Sequence, residues 1–371
     1  MPTQGAYCGD SFKSDDNHLP SFCFEGGPRP RVNQLRIDPL SGRWVTVATD
    51  RAQRQALFVP RQPTLDSLEG IPCPFCPGME SSTAPALEVY GTSGAWLVRV
   101  LPNRYPAFQG DAPFVIENRG PVFTEAPASG IHEVLVLSPD HEVTMASLPD
   151  EQVSLVMLAI RDRVAEHEST PGLRYSQVII NHGRQAGASI AHPHGQLLGI
   201  PFVPRELADE QASFERFAGG CVVCAAATAE QTFEHRMIQA TEHAVTFCPY
   251  WSGTPYEILV VPREHGAHLH RAATDSIVGV GRAVRSALRA VNESVGDVAY
   301  NVVFHSAPYS STGEFHWHVH ILPCLTTRAG FELGTGVMIN VVGPEKAAAD
   351  LREALRRVEP DTADQTMTAA S

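Results

Sequence analysis

One feature constrains this chain more than any other: it reads twice. CPFC at 73–76 is followed by a segment ending in Ser-Pro-Asp-His141, by YSQVIINHG at 175–183 and by AHPHGQLLGIP at 191–201. CVVC at 221–224 is followed by YEILVVPREH ending at His265, by YNVVFHSAP at 300–308 and by FHWHVHILP at 315–323. His141 and His192 are 51 residues apart, and so are His265 and His316. The same elements in the same order, at the same spacing, mark a tandem duplication with its boundary near 205–220. GIHEVLVLSP, YSQVIINH and HGQLLGIPF are short, alternating and rich in β-branched residues, so they read as strands, and YEILVVP, YNVVFH and HVHILP mirror them. Each copy adds one clear helix, the first capped at Ser147 and running to about His167, the second from Ala272 to about Val295. A third helix, Pro344 to Val358, follows. Strands with helices in this arrangement predict an α+β fold, an antiparallel sheet carrying helices.

Residues 1–33 are polar and read as a flexible arm, 34–205 as the first copy, 206–358 as the second and 359–371 as a polar tail. Two extended runs flank a turn of Asp38, Pro39, Ser41 and Gly42, which predicts a hairpin at the start of the first copy. Lys and Arg number 28 against 41 Asp and Glu, a net charge of −13. That excess argues against a general nucleic-acid or anionic-membrane binder. It leaves room for a small anionic ligand gripped by a few arginines. No apolar run approaches the roughly 18 residues of a membrane span, and the first residues lack a charged-then-apolar leader. The expectation is a cytoplasmic protein. In a reducing compartment paired CxxC motifs bind metal more often than they form disulfides. Cys8, Cys23, Cys248 and Cys324 are scattered and read as buried or incidental thiols.

Zinc takes four ligands and favours thiolate with imidazole. Cys73 and Cys76 aim two sulfurs from one proline-stiffened turn, and His141 and His192 supply two nitrogens from afar. The repeat offers the same quartet in Cys221, Cys224, His265 and His316, behind a Gly219-Gly220 turn. One or two Zn²⁺ per chain are expected, with no organic cofactor.

His192-Pro-His194-Gly-Gln196 is the densest chemistry in the chain. Alternate residues of an extended segment share a face, so a metal on His192 fixes His194 and Gln196 beside it. A neutral imidazole is a competent nucleophile toward phosphorus, and Gln196 can hydrogen-bond a phosphoryl oxygen. Upstream, Asn181, Gly183, Gly187 and Ser189 make a plausible cradle for phosphate or ribose. Taken alone, a His-x-His strand reads equally well as a structural metal site or a surface pair.

His-Pro-His-Gly-Gln preceded by Asn-x-Gly-x-x-x-Gly-x-Ser resembles the galactose-1-phosphate uridylyltransferase family, a branch of the histidine-triad superfamily. The resemblance runs from about Arg36 to Arg357 and includes Cys-Pro-Phe-Cys, Ser-Pro-Asp-His and Pro-Tyr-Glu. Ala329-Gly-Phe-Glu-Leu-Gly-Thr-Gly and the second CxxC are most similar to the branch containing ADP-glucose phosphorylase. The resemblance implies duplicated histidine-triad-like domains built on a half-barrel sheet. It implies ping-pong transfer of a nucleoside monophosphate, with His194 as nucleophile, Gln196 and Ser189 supporting the adduct, and Asn181 and Gly187 contacting nucleotide and phosphate. It implies structural zinc at the first quartet. Arg51 and Arg54 match a pair that reaches into a neighbouring subunit's site, which implies a homodimer. A further family metal site, of one Glu and three His, falls on Glu210, His305, His318 and His320. The Cys221 quartet is expected in preference to it, and His318 and His320 then read as the decayed active site of the second copy. The family's base-contacting Asn-Asp reads Asn103-Arg104 here. Its hexose-binding Glu matches Glu332, with Arg328 as the nearest cation.

The expected activity is uridylyl transfer between UDP-glucose and galactose 1-phosphate. The alternative within this chemistry is phosphorolysis of ADP-glucose with inorganic phosphate as acceptor. A non-catalytic zinc-containing nucleotide-binding protein and a histidine-triad hydrolase are readings of other classes, the latter opposed by Gln196.

Overall fold

The computed structural model describes residues 33–50, 72–92 and 95–360. The arm up to residue 32, Arg51, Arg54 and the tail beyond residue 360 lie outside the described residues. The first half runs β1 (Gln34–Ile37), β2 (Trp44–Val47), β3 (Glu88–Thr92), β4 (Ala95–Pro102), the two-residue β5 (Glu117–Asn118) and β6 (Thr124–Glu125), β7 (Ile131–Val136), α1 (Asp150–Ser169), β8 (Tyr175–His182) and β9 (His194–Ile200). The second runs α2 (Arg205–Arg216), α3 (Val222–Phe233), β10 (Met237–Ala240), β11 (Ala244–Phe247), β12 (Ile258–Pro262), α4 (Thr274–Val295), β13 (Tyr300–His305), β14 (His318–Pro323), α5 (Gly330–Thr335), β15 (Met338–Asn340) and α6 (Pro344–Val358).

The duplication is visible in a ten-stranded antiparallel sheet of order β10-β11-β12-β14-β13-β8-β9-β7-β4-β3. Both copies contribute five strands to it, and they meet where β13 pairs with β8. Ile179 lies opposite Val303 across that seam. These two are 124 residues apart, as are His192 and His316, so repeat equivalents face each other and a local twofold passes between β8 and β13.

Alternation then sorts the two faces of the sheet. Val178, Ile180, Leu197, Val302, Phe304, Val319 and Ile321 turn inward and pack with Val156 and Ile160 of α1 and Val284 and Leu288 of α4 in one core. The intervening residues on the same strands, Asn181, His194, Gln196, His305, His318 and His320, take the opposite face. A buried bidentate ion pair, Glu133 on β7 with Arg163 on α1, ties helix to sheet at 2.5 and 3.0 Å.

The antiparallel α+β prediction holds, and β8, β13, β14 and α6 match the expected segments. Two details differ. Ser147 does not cap α1: it closes a short 3₁₀ turn whose cap is Thr144, and Pro149 sits at the helix N-cap. The expected 34–47 hairpin forms but stays out of the main sheet, because β15 pairs parallel with β2 to make a separate three-stranded sheet. The region of the repeat boundary carries α2, whose Leu207, Glu210 and Phe214 are buried.

Candidate active site and metal centres

Three clusters of ligand-type side chains form on this frame: Cys73/Cys76/His141/His192, Cys221/Cys224/His265/His316 and Glu210/His305/His318/His320. Within each, the candidate donor atoms lie within 4.8 Å of one another.

The first quartet fits zinc by its edges. Zn–S near 2.3 Å and Zn–N near 2.05 Å on a tetrahedron require S···N of about 3.5 Å and N···N of about 3.3 Å. Cys76 Sγ lies 3.4 Å from His141 Nδ1 and 3.6 Å from His192 Nδ1, and the two imidazole nitrogens are 3.3 Å apart. His192 is prepared for this from behind. Its Nε2–H donates to the Ser138 carbonyl at 2.7 Å, which leaves the Nδ1 lone pair facing Cys76 and His141. Burial pushes the His192 imidazole down to about 4, so it is neutral at pH 7.

The second quartet is similar but built on a helix. Cys221 caps α3 and accepts the Cys224 backbone N–H at 3.4 Å. Cys224 Sγ lies 3.4 Å from His265 Nδ1 and 3.3 Å from His316 Nδ1, and Cys221 Sγ is 3.8 Å from the latter. The Cys221 thiol is drawn down to about 4, first by the Cys224 hydrogen bond and then by His316, while its partner is pushed up. The arrangement thus favours one thiolate.

The third cluster shares no residue with the second, because α2 carries Glu210 onto the strand face while Cys221 and Cys224 stand at the start of α3. Glu210 Oε1 lies 2.9 Å from His305 Nδ1. His318 Nδ1–H donates to the His316 carbonyl at 2.8 Å. Glu210 Oε2, His318 Nε2 and His320 Nε2 are buried and unpartnered, an arrangement that suits a cation. Burial works to raise the Glu210 carboxyl, but the charge and hydrogen bond of His305, with His318 and His320, hold it at about 2. His318 is driven to about 3 by burial.

The His194 constellation occupies the equivalent place in the first copy. His194 is 6% exposed, and its Nδ1–H donates to the His192 carbonyl at 2.8 Å. The free lone pair is therefore on Nε2. Burial lowers its pKa, which keeps the ring neutral. Phe75, the residue between Cys73-Pro and Cys76, packs on the rings of His192 and His194 at centroid distances of 6.0 and 5.6 Å. The Cys73–Cys76 turn thus also packs against His194. Asn181, Gly183, His192 and His194 line one pocket. Gly187 has φ +87° at the end of a 3₁₀ turn, a left-handed conformation that costs glycine nothing, and Ser189 follows it exposed. Asn103 is half-buried beside His132, whose ring nitrogen is 3.0 Å from its amide.

Arg328 and Glu332 are not brought to His194 within this chain. They line a separate cavity of about 570 Å³ with Glu210, His305, His320 and Trp251, over the second copy. Glu332 also accepts the Ala329 backbone N–H at 3.0 Å. Four side chains escaped the sequence reading: Phe75, His132, Asn301 and Glu257, which lies 3.7 Å from His320 Nδ1. His132 stands in the GIHEVLVLSP strand segment, opposite Leu198 on β9 and on the face shared with Gln196.

A profile of the galactose-1-phosphate uridyl transferase N-terminal domain matches residues 24–204, and a domain of unknown function matches residues 142–367. The ADP-glucose phosphorylase of Arabidopsis thaliana is 30% identical over 334 residues, covering 86% of this chain and 92% of the relative. The chain belongs to the galactose-1-phosphate uridylyltransferase family. The galactose-1-phosphate uridylyltransferase of Thermotoga maritima is 27% identical over 334 residues, with 86% and 98% covered. The crystal structure of the Arabidopsis ADP-glucose phosphorylase with bound ADP-glucose superimposes with a TM-score of 0.74 at 27% identity, covering 87% of this chain and 99% of that one. The fold and the paired-repeat sheet are thus those of a family of nucleotidyltransferases. Among the described residues, no helix is long and apolar enough to cross a membrane.

Proposed function

We propose that the protein transfers a nucleoside monophosphate from a nucleotide-sugar to a second phosphate by way of His194. The observation that carries this is the tautomer lock: Nδ1–H is spent on the His192 carbonyl, so Nε2 offers a lone pair on the face shared with Asn181 and Gln196. In the first half-reaction Nε2 attacks the α-phosphorus. An N–P bond forms, the P–O bond to the sugar phosphate breaks, and the sugar 1-phosphate leaves with the electron pair. In the second, an acceptor phosphate oxygen attacks the same phosphorus and His194 is regenerated. Gln196 and Ser189 supply donors to the phosphoryl oxygens, and Asn181, Gly187 and Asn103 line the nucleotide side.

The reading of first choice is UDP-glucose as donor and galactose 1-phosphate as acceptor. Phosphorolysis of ADP-glucose is the second reading. It is favoured by Asn103-Arg104, where an acidic base contact is missing, and by the preformed second thiolate quartet. Zinc in both Cys₂His₂ sites holds the turn and strand ends on which His194 and its repeat equivalent sit, and the edge lengths support this. A third cation on Glu210, His305, His318 and His320 would make three ions per chain. Working as a homodimer, a partner's Arg51, Arg54, Arg328 and Glu332 would complete the sugar-phosphate end of the site. A cytoplasmic setting goes with this reading, since paired CxxC motifs serve as metal ligands in a reducing compartment.

The test is intact-protein mass spectrometry after brief mixing with UDP-glucose or ADP-glucose, for wild type and His194→Gly. A uridylyl increment in wild type alone, discharged by galactose 1-phosphate, is the expected result. An adenylyl increment discharged by inorganic phosphate selects the second reading. No increment with either donor in zinc-replete protein refutes both.

A further inference from the structure

We infer that the nucleotide site is a cradle of hydrogen-bond donors, its polarity set by His132 and Asn301. This rests on the nucleotidyl-transfer reading. Neither residue touches the reacting atoms, so both are positioning residues.

The argument starts from two groups whose roles admit no choice. The backbone N–H of Ala107 donates to His132 Nδ1 at 3.0 Å. That nitrogen is therefore unprotonated, and the ring proton is on Nε2. Two side-chain atoms lie near this Nε2–H: Gln196 Oε1 at 2.8 Å and Asn103 Nδ2 at 3.0 Å. Asn103 Oδ1 accepts the Tyr105 N–H at 2.8 Å, so its amide nitrogen is a donor and cannot receive the proton. The proton goes to Gln196 Oε1. The carboxamide nitrogen of Gln196 is left as its free end, on the strand face that also carries His194.

The second anchor is the carbonyl of Ala186, which can only accept. Asn301 Nδ2 donates to it at 2.8 Å and gives its other hydrogen to Asn181 Oδ1, also at 2.8 Å. The Asn181 oxygen is consumed and its NH₂ is the end that remains, on the side of Gly187, where a Cβ would come 4.0 Å from Asn181 Nδ2. Asn301 belongs to the second copy and reaches across the β8–β13 seam. The degenerate repeat is thus used to orient the working one.

Without these locks each amide could turn over and aim a carbonyl oxygen at the phosphoryl group, replacing attraction by repulsion. With them, both amides meet the anionic α-phosphoryl with N–H groups alone. Preorganised donors act most strongly as charge builds in the transition state, so losing the lock should lower the rate of adduct formation more than it weakens binding.

The experiment uses zinc-replete wild type, His132→Leu, His132→Gln and Asn301→Asp, each matched to wild type in metal content and melting temperature. Single-turnover formation of the histidine adduct is followed with UDP-glucose and ADP-glucose. His132→Leu should slow adduct formation about 10- to 100-fold with KM changed less than about threefold. His132→Gln retains a donor at the Nε2 position and should recover most of the rate. Asn301→Asp puts an acceptor oxygen before two acceptors, forces Asn181 to turn, and should lose about tenfold or more. In a Gln196→Leu background His132→Leu should cost nothing further. Equal rates for His132→Leu and His132→Gln, or an undiminished cost in that background, overturn the inference. The ¹⁵N shifts of the His132 ring in wild type give an independent reading. A protonated Nε2 supports the lock and a protonated Nδ1 overturns it, even if neither donor yields an adduct and the nucleotidyl-transfer reading itself fails.

Discussion

Replacing Glu133 with Leu separates charge pairing from packing in the joint between sheet and helix. Glu133 is 2% and Arg163 11% exposed at the side chain. Arg163 Nη2 and Nε grip the two carboxylate oxygens, Arg163 Nη1 reaches Glu88 at 3.0 Å, and His167 Nε2 lies 3.3 Å from Glu133. Removing one member of a buried pair costs about 3–5 kcal/mol, chiefly because the other charge stays buried without its partner. The surviving Glu88 contact puts this case near 3 kcal/mol. An unfolding entropy of about 2.1 cal/mol/K per residue over 371 residues is roughly 0.8 kcal/mol/K, so Glu133→Leu should lower Tm by about 4 °C. Adding Arg163→Leu should restore more than half of that, since no lone charge remains. The pH dependence has a definite sign. Burial acts to raise the Glu133 carboxyl, but the hydrogen bonds and charges of His167 and Arg163 outweigh it and hold it below its ordinary 4.5. A depressed folded value means that the stabilisation is present above about 4.5 and is lost as pH falls through the folded value. Scanning calorimetry in excess zinc from pH 7 to pH 4 tests both points, with the gap between wild type and Glu133→Leu expected to shrink at the acid end. A double variant no more stable than the single one, or a gap that does not shrink, would refute the reasoning.

Elemental analysis of the purified protein should find three metal ions per chain, falling to two in Cys221→Ser and, separately, in His320→Ala; a count unchanged in His320→Ala would deny the third cluster its cation. Asn340 is buried and gives Nδ2–H bonds to the Ser252 and Thr254 carbonyls at 2.9 and 3.1 Å. Asn340→Leu should cost about 2–4 kcal/mol by leaving two acceptors unpaired, read as a lower urea midpoint. A Cβ at Gly199 would come 2.7 Å from Leu173 Cδ1 and 3.1 Å from His167 Nδ1, so Gly199→Ala should cost about 1–3 kcal/mol in the same assay. A change under 0.5 kcal/mol would mean that the β9–α1 packing yields easily.

What the sequence determined by itself is what local chemistry and period determine. The repeat, the strands at 175–182, 300–305 and 318–323, the helix at 344–358 and both Cys₂His₂ quartets were legible because each is written in spacing. The His192-Pro-His194-Gly-Gln196 segment stood out because alternation along an extended segment is enough to put its chemical side chains on one side.

Tertiary structure decided the rest, and the reason is the same in each case: the partner is distant in sequence and its pairing depends on register. That Glu210 joins His305, His318 and His320 without displacing the Cys221 quartet follows from α2 packing on the second copy's strand face. Arg328 and Glu332 fall to the other cavity because α5 follows the second copy's strands. The hairpin at 34–47 leaves the main sheet because β15 captures it, a parallel pairing that neither segment advertises. The orientation of the two amides around His194 comes from His132 on a neighbouring strand and from Asn301 on the opposite repeat. A single-residue slip of β13 against β8 would turn Asn301 and His305 to the other face.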